Sequence, residues 1–289
     1  MPEAALHLVG TPIGNLADLS PRARDTLAAV AVVYAEDTRR TRKLCAALGI
    51  DAELRSLHAH NEAARVSEVV ERLRAGEGCA LVTDAGSPAI SDPGARLVRG
   101  VVEAGLPVVS VPGPSAVTAS LGLSGLPADR FLFVGFPPRK GADRRRWLVD
   151  VAESLATVVA FEAPGRLAAL LSDLVEAGLA ERECCVCREL TKLHEETRRG
   201  TVASLAGYYR ESEVRGEVTL VLAGADPEER ARRDRRAAET GAREVAEEMA
   251  RRGMGTREIV RRLTAEVGVP RNRAYEIALA ATGDEADGS

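Results

Sequence analysis

The sequence predicts an α/β protein with two α/β domains followed by a small helical domain. Short β-branched runs alternate with helical patterns through residues 5–224, which is typical of sheets with helices packed on their faces. A highly charged segment then begins at Asp226 and is followed by further helical patterns. With 289 residues, of which 45% are hydrophobic, the chain is long enough to build more than one core.

The first predicted domain, residues 1–114, contains four strand-like runs. They are residues 5–10, 30–36, 79–84 and 106–113. Apolar residues at helical spacing after Asn61 predict a helix that Asn61 caps and Gly76 ends. A second helix is expected to begin at Asp92, with Asp92 as its N-cap and Pro93 in its first position.

The second predicted domain, residues 115–225, repeats this alternation. Its strand-like runs are residues 130–137, 156–163, 184–190 and 217–224, and its helical patterns are residues 166–178 and 201–212. Cys184, Cys185 and Cys187 lie in one of the runs, and we interpret them as small strand residues. The five cysteines give neither a disulfide ladder nor a zinc site, so no metal is predicted.

The last part of the chain divides into three segments. Residues 226–241 carry both signs of charge and few apolar residues, so we predict a charged linker or an exposed helix there. Residues 242–282 show three short helical patterns, which predict a compact domain of helix-turn-helix type. Residues 283–289 are predicted to be a disordered tail.

Composition restricts the class of protein. The net charge of −4 argues against a uniformly basic surface, so nucleic-acid contacts must come from local patches. No apolar run reaches the roughly 18–20 residues of a membrane span, and no basic segment precedes the first apolar one, as it would in a signal peptide. We therefore expect a cytoplasmic protein with no membrane partner.

Three loops rich in glycine and proline follow predicted strands in the first domain. They are residues 10–15, 84–88 and 112–116. Because ligands collect at the carboxyl ends of parallel strands, these loops predict a binding cleft. Neither the P-loop pattern nor Gly-x-Gly-x-x-Gly occurs in them, and Asp84 favours a hydroxyl, an amine or a cation over a phosphate.

Eight motifs occur in an order that resembles a known family. They are "TPIGN" (11–15), "AEDTRRT" (35–41), "LHAHNE" (57–62), "VTDAGSPAISDPG" (82–94), "VPGPSA" (111–116), "FEAPGRL" (161–167), "RELTKLHEE" (188–196) and "RGEVTLVLAG" (215–224). Together they are similar to the bacterial small-subunit ribosomal RNA methyltransferase I family, which belongs to the tetrapyrrole methylase superfamily. The likeness runs from about residue 6 to 224, and residues 242–281 resemble the family's additional domain.

This resemblance implies an S-adenosylmethionine-dependent 2′-O-methyltransferase that acts on a cytidine in the decoding region of 16S rRNA within the 30S subunit. It also implies a homodimer with the cofactor held in the cleft between two α/β domains. Such a cofactor carries a sulfonium, an ammonium and a carboxylate, so a phosphate-binding loop is not needed. The implied cofactor-binding residues are Pro12, Asp84, Gly86, Ser87, Ser115, Ala116, Phe161, Leu190 and Thr219.

A sugar hydroxyl is a weak nucleophile, so a general base or an electrostatic aid is expected. The candidates from the motifs are Glu36, Asp37, His60, Glu189 and Lys192. Asp37 has an alternative role as the N-cap of the helix that follows it, and Lys192 has an alternative role as a solvated surface cation. The sequence does not select one base.

Two basic clusters are candidates for RNA phosphate contacts. They comprise Arg39, Arg40, Arg139, Lys140, Arg144, Arg145 and Arg146. The alternative for each cluster is a solvated helix face. Two other functions stay open: methylation of a corrin or porphyrin precursor, and a nucleic-acid-binding regulator whose α/β part only senses a ligand. The basic clusters and the helical tail favour RNA, because a small macrocycle has no use for them.

Overall fold

A computed structural model describes the backbone of residues 4–58 and 61–282, and their side chains outside residues 227–238. The chain forms two compact units, Met1–Gly224 and Ala225–Ser289. The predicted catalytic residue His60 and the predicted tail at 283–289 lie outside the described residues.

The first sheet has five parallel strands in the order β3-β2-β4-β1-β5. The strands are β1 (Leu6–Val9), β2 (Val32–Ala35), β3 (Leu54–Ser56), β4 (Cys79–Val82) and β5 (Val108–Val111), and the helices are α1 (Pro21–Ala29), α2 (Thr38–Leu48), α3 (Glu62–Arg74) and α4 (Ala95–Glu103). Side chains alternate between two buried cores, with Tyr34 and Leu81 on one face and Val33 and Val82 on the other. Because every strand runs in the same direction, all their carboxyl ends meet at one edge.

The second sheet is mixed, with the order β6-β7-β10-β8-β9. Only the β6–β7 pair is parallel; the other three pairs are antiparallel. The strands are β6 (Phe131–Phe133), β7 (Thr157–Glu162), β8 (Glu183–Arg188), β9 (Glu196–Thr201) and β10 (Val218–Leu222), with α5 (Ala116–Ser124), α6 (Gly141–Glu153), α7 (Leu167–Leu174) and α8 (Val202–Glu211). The carboxyl ends of β7 and β8 therefore lie beside the start of β10, where Val218 pairs with Glu162 and Arg188.

The start of α4 differs from the sequence prediction. The helix begins at Ala95, after Gly94, so the predicted N-cap Asp92 and first-turn Pro93 both precede it. Gly94 adopts a φ of 133°, which is a conformation that favours glycine and turns the chain into the helix. The side chain of Asn61 also does not cap α3; its amide oxygen accepts from the His58 N–H at 2.8 Å and its amide nitrogen donates to the Ser56 carbonyl.

The second unit is helical. Its helices are α9 (Pro227–Arg251), α10 (Thr256–Arg262) and α11 (Arg271–Thr282), which pack around a core that includes Ala246, Ile259, Leu263 and Ile277. Residues 226–241 were predicted as a charged linker or an exposed helix, and from residue 227 onward they form the first part of α9. Over the part of the chain that the structure describes, no helix is both long and apolar enough to cross a membrane.

Candidate functional site

A cavity of about 390 Å³ lies between the two sheets of the first unit. The first α/β domain contributes the ends of β2 and β4 and the loop that follows β4, and the second contributes the start of α5 and the paired ends of β7 and β10. A second cavity of about 330 Å³ adjoins it beneath the loop that follows β1. Asp84 and Arg40 line both cavities.

The three predicted loops are tied together by backbone contacts. Thr11 and Gly86 exchange two hydrogen bonds, with N···O distances of 2.9 and 3.1 Å, and the Thr11 hydroxyl donates to the Thr83 carbonyl at 3.1 Å. Gly10 packs against Gly113 so closely that a Cβ on Gly10 would lie 2.6 Å from the Gly113 nitrogen. The loops after β1, β4 and β5 therefore form one wall of the cleft, at the carboxyl ends of the parallel strands.

The loop after β4 holds an unusual backbone. Gly86 has a φ of 84°, and two residues that are not glycine, Ala89 and Ser91, have φ values of 67° and 63°. Left-handed conformations of such residues are strained and concentrate at functional sites. This loop is thus held in a specific shape by its surroundings.

Glu62, at the start of α3, supplies much of that support. Its Oε1 accepts hydrogen bonds from the backbone N–H groups of Gly94, Arg96 and Leu97, at 3.1, 2.8 and 3.1 Å. The residue is buried, with 5% of its surface exposed. A carboxylate from another helix therefore satisfies the amino-terminal N–H groups of α4, the role that sequence analysis assigned to Asp92.

Asp92 instead joins an acidic group in the first cavity with Glu36 and Asp84. The Thr83 hydroxyl lies 2.6 Å from Asp92 Oδ2 and 3.4 Å from Glu36 Oε2. Burial raises the pKa of Asp92, and the Asp84 charge raises it further. Glu36 stays accessible through the cavity, yet partial desolvation and the charges of Asp92 and Asp84 raise its pKa as well.

Asp92→Asn is expected to stabilise the fold at neutral pH. A carboxyl whose folded pKa is raised loses stability as the pH rises from its unfolded pKa, about 3.9, through its folded pKa. Asparagine cannot ionise and still accepts from Thr83, so the free energy of unfolding should rise by about 1 kcal/mol at pH 7. Urea unfolding at pH 7 and pH 3 tests this: the gain should vanish at pH 3, and a loss of stability at both values would contradict it.

Asp84 and Asp37 have different environments. Asp84 Oδ1 accepts from the Asp37 N–H at 3.2 Å, and Asp84 Oδ2 lies 3.2 Å from the Arg40 guanidinium. The Asp37 side chain caps α2 through the Arg39 N–H at 2.8 Å and pairs with the Arg39 side chain. Hydrogen bonds from Arg39 hold the pKa of Asp37 far below its usual range, and Asp37 lines neither cavity. Asp37 therefore has the capping role that was its alternative.

Glu189 and Lys192 form a separate ionic group. Lys192 Nζ donates to Glu189 Oε1 at 2.7 Å and to Glu217 Oε2 at 3.0 Å. Lys192 lowers the pKa of Glu189, and both carboxylates raise the pKa of Lys192 against the opposing effect of burial. Lys192 lines the second cavity, whereas Glu189 lines neither. This group is thus a cation held beside the cleft by two carboxylates.

Most of the predicted cofactor-binding residues lie around the first cavity. Those lining it are Asp84, Gly86, Ser87, Ser115, Ala116, Phe161 and Thr219. Pro12 lines the second cavity, and Leu190 lines neither but is buried in the core that includes Ile13 and Val117. Ile13, Phe136, Glu162 and Glu217 also line the first cavity, although none of them was predicted as a site residue. Ile13, Glu162 and Glu217 lie within the eight motifs, whereas Phe136 lies in the strand-like run 130–137.

The predicted RNA-binding cations fall into two groups. Within the described residues, Arg139, Lys140 and Arg145 are exposed and form no ion pair, whereas Arg39 and Arg40 pair with carboxylates and Arg146 lies 4.0 Å from Asp143. Arg144 departs from the prediction. Its side chain is 11% exposed, pairs with Asp173 at 2.7 Å and lies over the Trp147 ring, so it anchors α6 to α7 instead of facing solvent.

The acidic residues do not assemble a metal centre. In the described ranges, no three His, Cys, Asp or Glu side chains are grouped closely enough to hold a metal ion. Cys185 and Cys187 lie on one buried face of β8, with their sulfur atoms 3.8 Å apart. They are strand residues behind the cleft, and neither lines the two cavities.

Comparison with known proteins gives consistent matches. The family described as Tetrapyrrole (Corrin/Porphyrin) Methylases matches residues 5–206. A protein of Synechocystis sp. named Ribosomal RNA small subunit methyltransferase I is 42% identical over 96% of this chain and 99% of its own. Proteins of the same name are 49% identical in Mycobacterium tuberculosis, over 78% of this chain and 80% of theirs, and 38% identical in Bacillus subtilis, over 94% and 92%.

Solved structures share the fold at lower identity. Cobalt precorrin-4 methyltransferase superposes with a TM-score of 0.57 at 20% identity, over 76% of this chain and 95% of its own. A uroporphyrin-III C-methyltransferase from Thermus thermophilus, in complex with S-adenosylhomocysteine, gives a TM-score of 0.52 at 22% identity, over 76% and 97%. These likenesses extend over about three quarters of the chain, and they confirm the predicted α/β architecture.

Proposed function

Because this chain belongs to the tetrapyrrole methylase family and, within it, to the ribosomal RNA small subunit methyltransferase I group, we propose that it methylates the ribose 2′-hydroxyl of a cytidine in 16S rRNA. S-adenosylmethionine-dependent methylation of small-subunit rRNA is the activity of this group; the 2′-O position and the cytidine are our proposal. The observation that carries it is the cavity between the sheets, which joins small-residue loops to an acidic group.

The residues of this cavity suit S-adenosylmethionine. A volume of about 390 Å³ is within the range of small-molecule sites, about 300–1000 Å³. Asp84 and Asp92 offer carboxylates to a cationic ligand, while Ile13, Ala116 and Phe161 offer apolar surface to an adenosine. No phosphate has to be held, which agrees with the lack of a P-loop. When bound, the cofactor supplies a methyl group on a sulfonium.

Glu36 fits the role of general base best among the candidates. It is accessible in the cavity, and its raised pKa brings it closer to the operating pH, where a base is most effective. In the proposed step, the ribose oxygen forms a bond to the methyl carbon as the carbon–sulfur bond breaks, and Glu36 accepts the hydroxyl proton. Asp37 is a weaker base because Arg39 lowers its pKa. Lys192, a fixed cation beside the second cavity, is suited to orient a phosphate.

Arg139, Lys140 and Arg145 are our proposed phosphate contacts, since they are exposed and form no ion pairs among the described residues.

We also propose that the protein acts on the 30S subunit, is located in the cytoplasm and forms a homodimer. Light scattering on the purified chain tests the oligomeric state. A monomer mass at the concentration used in the assays would reject the proposed homodimer.

The central experiment maps the modified nucleotide. Purified protein is incubated with isotopically labelled S-adenosylmethionine and either 30S subunits or naked 16S rRNA, and the product nucleosides are identified by mass spectrometry. We expect 2′-O-methylcytidine at one position. A base-methylated product would reject the 2′-O assignment. Because the solved structures that share the fold include porphyrin-precursor methylases, uroporphyrinogen III is tested in parallel, and methylation of it alone would favour the alternative.

Ala116→Phe is expected to weaken S-adenosylmethionine binding tenfold or more. Ala116 lines the cavity at the start of α5, so a phenyl ring there occupies the proposed adenosine space. The matched control is Thr118→Phe, at an exposed position of the same helix that does not line the cavity. Calorimetry measures both affinities. Equal affinities for wild type and Ala116→Phe would place the cofactor elsewhere.

A further inference from the structure

Two large apolar side chains lie where the first cavity opens to solvent, one from each α/β domain. Ile90 and Phe136 both line the cavity, yet they are 49% and 56% exposed. We call this pair the apolar clamp. Exposed apolar surface is unfavourable in water, and because both side chains line a cavity they offer that surface to a ligand there. The proposed cofactor and base do not account for it.

The backbone holds the apolar clamp in place from both sides. Ile90 stands between Ala89 and Ser91, the two left-handed residues of the loop after β4. Gly135, with a φ of 61°, turns the chain before Phe136, and a Cβ on Gly135 would lie 3.3 Å from the Ser91 hydroxyl. The loops that carry the clamp therefore meet across the domain boundary, and the position of each depends on the other.

Phe136 also packs against other aromatic rings on the side that faces the core. Its ring centroid lies 5.6 Å from that of Phe161, which in turn lies 4.9 Å from that of Phe133 in an edge-to-face contact. Phe161 lines the cavity and Phe133 packs against the core between the two sheets. A row of aromatic rings thus runs from the core to the cavity mouth, and its outermost ring is left exposed.

Two cations follow Phe136 closely in the sequence. Arg139 and Lys140 come three and four residues after Phe136, are exposed and take part in no ion pair within the described residues. Arg40 lines the cavity on the opposite domain. An exposed aromatic ring followed within four residues by two exposed cations that form no ion pair matches the chemistry of an unpaired nucleotide, whose base stacks while its phosphates are neutralised. A duplex offers phosphates but keeps its bases stacked inside.

We infer that the apolar clamp receives the nucleobase of an unpaired or extruded nucleotide, so that the enzyme selects single-stranded RNA at its target. The inference rests on the proposed function and deepens it, because the attached ribose must then enter the cavity. Stacking on an aromatic residue contributes about 1–3 kcal/mol per base. Phe136 is therefore a substrate-positioning residue that acts before methyl transfer.

The test compares Phe136→Ala, Phe136→Tyr and the control Phe131→Ala. Phe131 is 44% exposed on β6 and does not line the cavity. For 30S subunits we expect Phe136→Ala to lower kcat/KM by about 5–150-fold, the range that 1–3 kcal/mol gives. Phe136→Tyr keeps the ring and Phe131 is remote, so both variants should stay near wild type. Thermal melts of all three should be unchanged.

A binding arm is independent of catalysis. Fluorescence anisotropy with a labelled oligocytidylate, alone and in duplex with its complement, should show a single-strand preference that Phe136→Ala removes. Unchanged kcat/KM and unchanged preference in Phe136→Ala would overturn the inference. So would a loss of S-adenosylmethionine affinity equal to the loss of kcat/KM, since the ring would then serve the cofactor. Absence of 30S methylation by wild type would instead reject the proposed function. The anisotropy measurement would still show whether the apolar clamp binds single-stranded RNA, because it does not depend on catalysis.

Discussion

Replacement of Glu36 by glutamine is expected to lower kcat on 30S subunits by about 10²–10⁴-fold, the usual contribution of a general base. Glutamine keeps the size of the side chain and removes the carboxylate that we propose as the proton acceptor. The neighbouring carboxylates Asp84 and Asp92 remain in place, so cofactor affinity should stay within about twofold of wild type. Single-turnover rates and calorimetry measure the two quantities.

The matched control for this prediction is Asp37→Asn, one residue away. Asparagine is as good an N-cap as aspartate, so α2 should keep its start and kcat should change little. If Glu36 is the base, it must be ionised to accept the proton, so kcat/KM of wild type should rise with pH through its raised pKa and then level off. Glu36→Gln should lack this rise. A wild-type rate in Glu36→Gln, or a large loss of cofactor affinity in that variant, would reject the proposed role of Glu36 as general base.

Local sequence patterns were sufficient to predict the buried strands. β1, β2, β4 and β10 have almost entirely buried side chains, so they appear as unbroken apolar runs. β9 was not predicted, because its sequence "ETRRGT" contains no apolar residue. It pairs with β8 at the edge of the sheet, and its arginines serve tertiary contacts, such as Arg198 over the Tyr208 ring at 3.6 Å.

The site shows the same division between local and distant causes. Its glycine-rich loops could be predicted because they follow strands whose carboxyl ends share one edge. The apolar clamp and Glu162 could not, because they line the cavity only after two separate sheets come together. Arg144 was predicted as a phosphate contact from its cationic neighbours, but its partner Asp173 is 29 residues away. Spacing along the chain does not reveal such a pair.

Glu62 is the clearest case of a residue whose role depends on distant partners. Its carboxylate accepts hydrogen bonds from three N–H groups that lie 32 to 35 residues away in the sequence. The same segment carries Asp92 into the cavity, so the carboxylate links the start of α3 to the shape of the proposed cofactor loop. Both the stability of the first domain and the geometry of the cavity should therefore depend on it.

Glu62→Ala is expected to lower the free energy of unfolding by about 3 kcal/mol or more. Each buried N–H group left without an acceptor costs about 1–3 kcal/mol, and the alanine cannot replace any of the three contacts. Glu62→Gln should lose less, since its amide oxygen can still accept. The surface control is Glu71→Ala, on an exposed position of the same helix, which should stay within about 0.5 kcal/mol of wild type.

Hydrogen exchange distinguishes this account from a general loss of stability. If Glu62 caps α4, the amides of Gly94, Arg96 and Leu97 should lose protection in Glu62→Ala under conditions where β1 and β4 remain protected. Cofactor affinity should fall in parallel, because the loop after β4 loses its anchor. Chemical denaturation followed by circular dichroism gives the global value. A loss below 1 kcal/mol with unchanged exchange at these three amides would show that other contacts hold the loop, and Glu62 would then be an ordinary first-turn acid of α3.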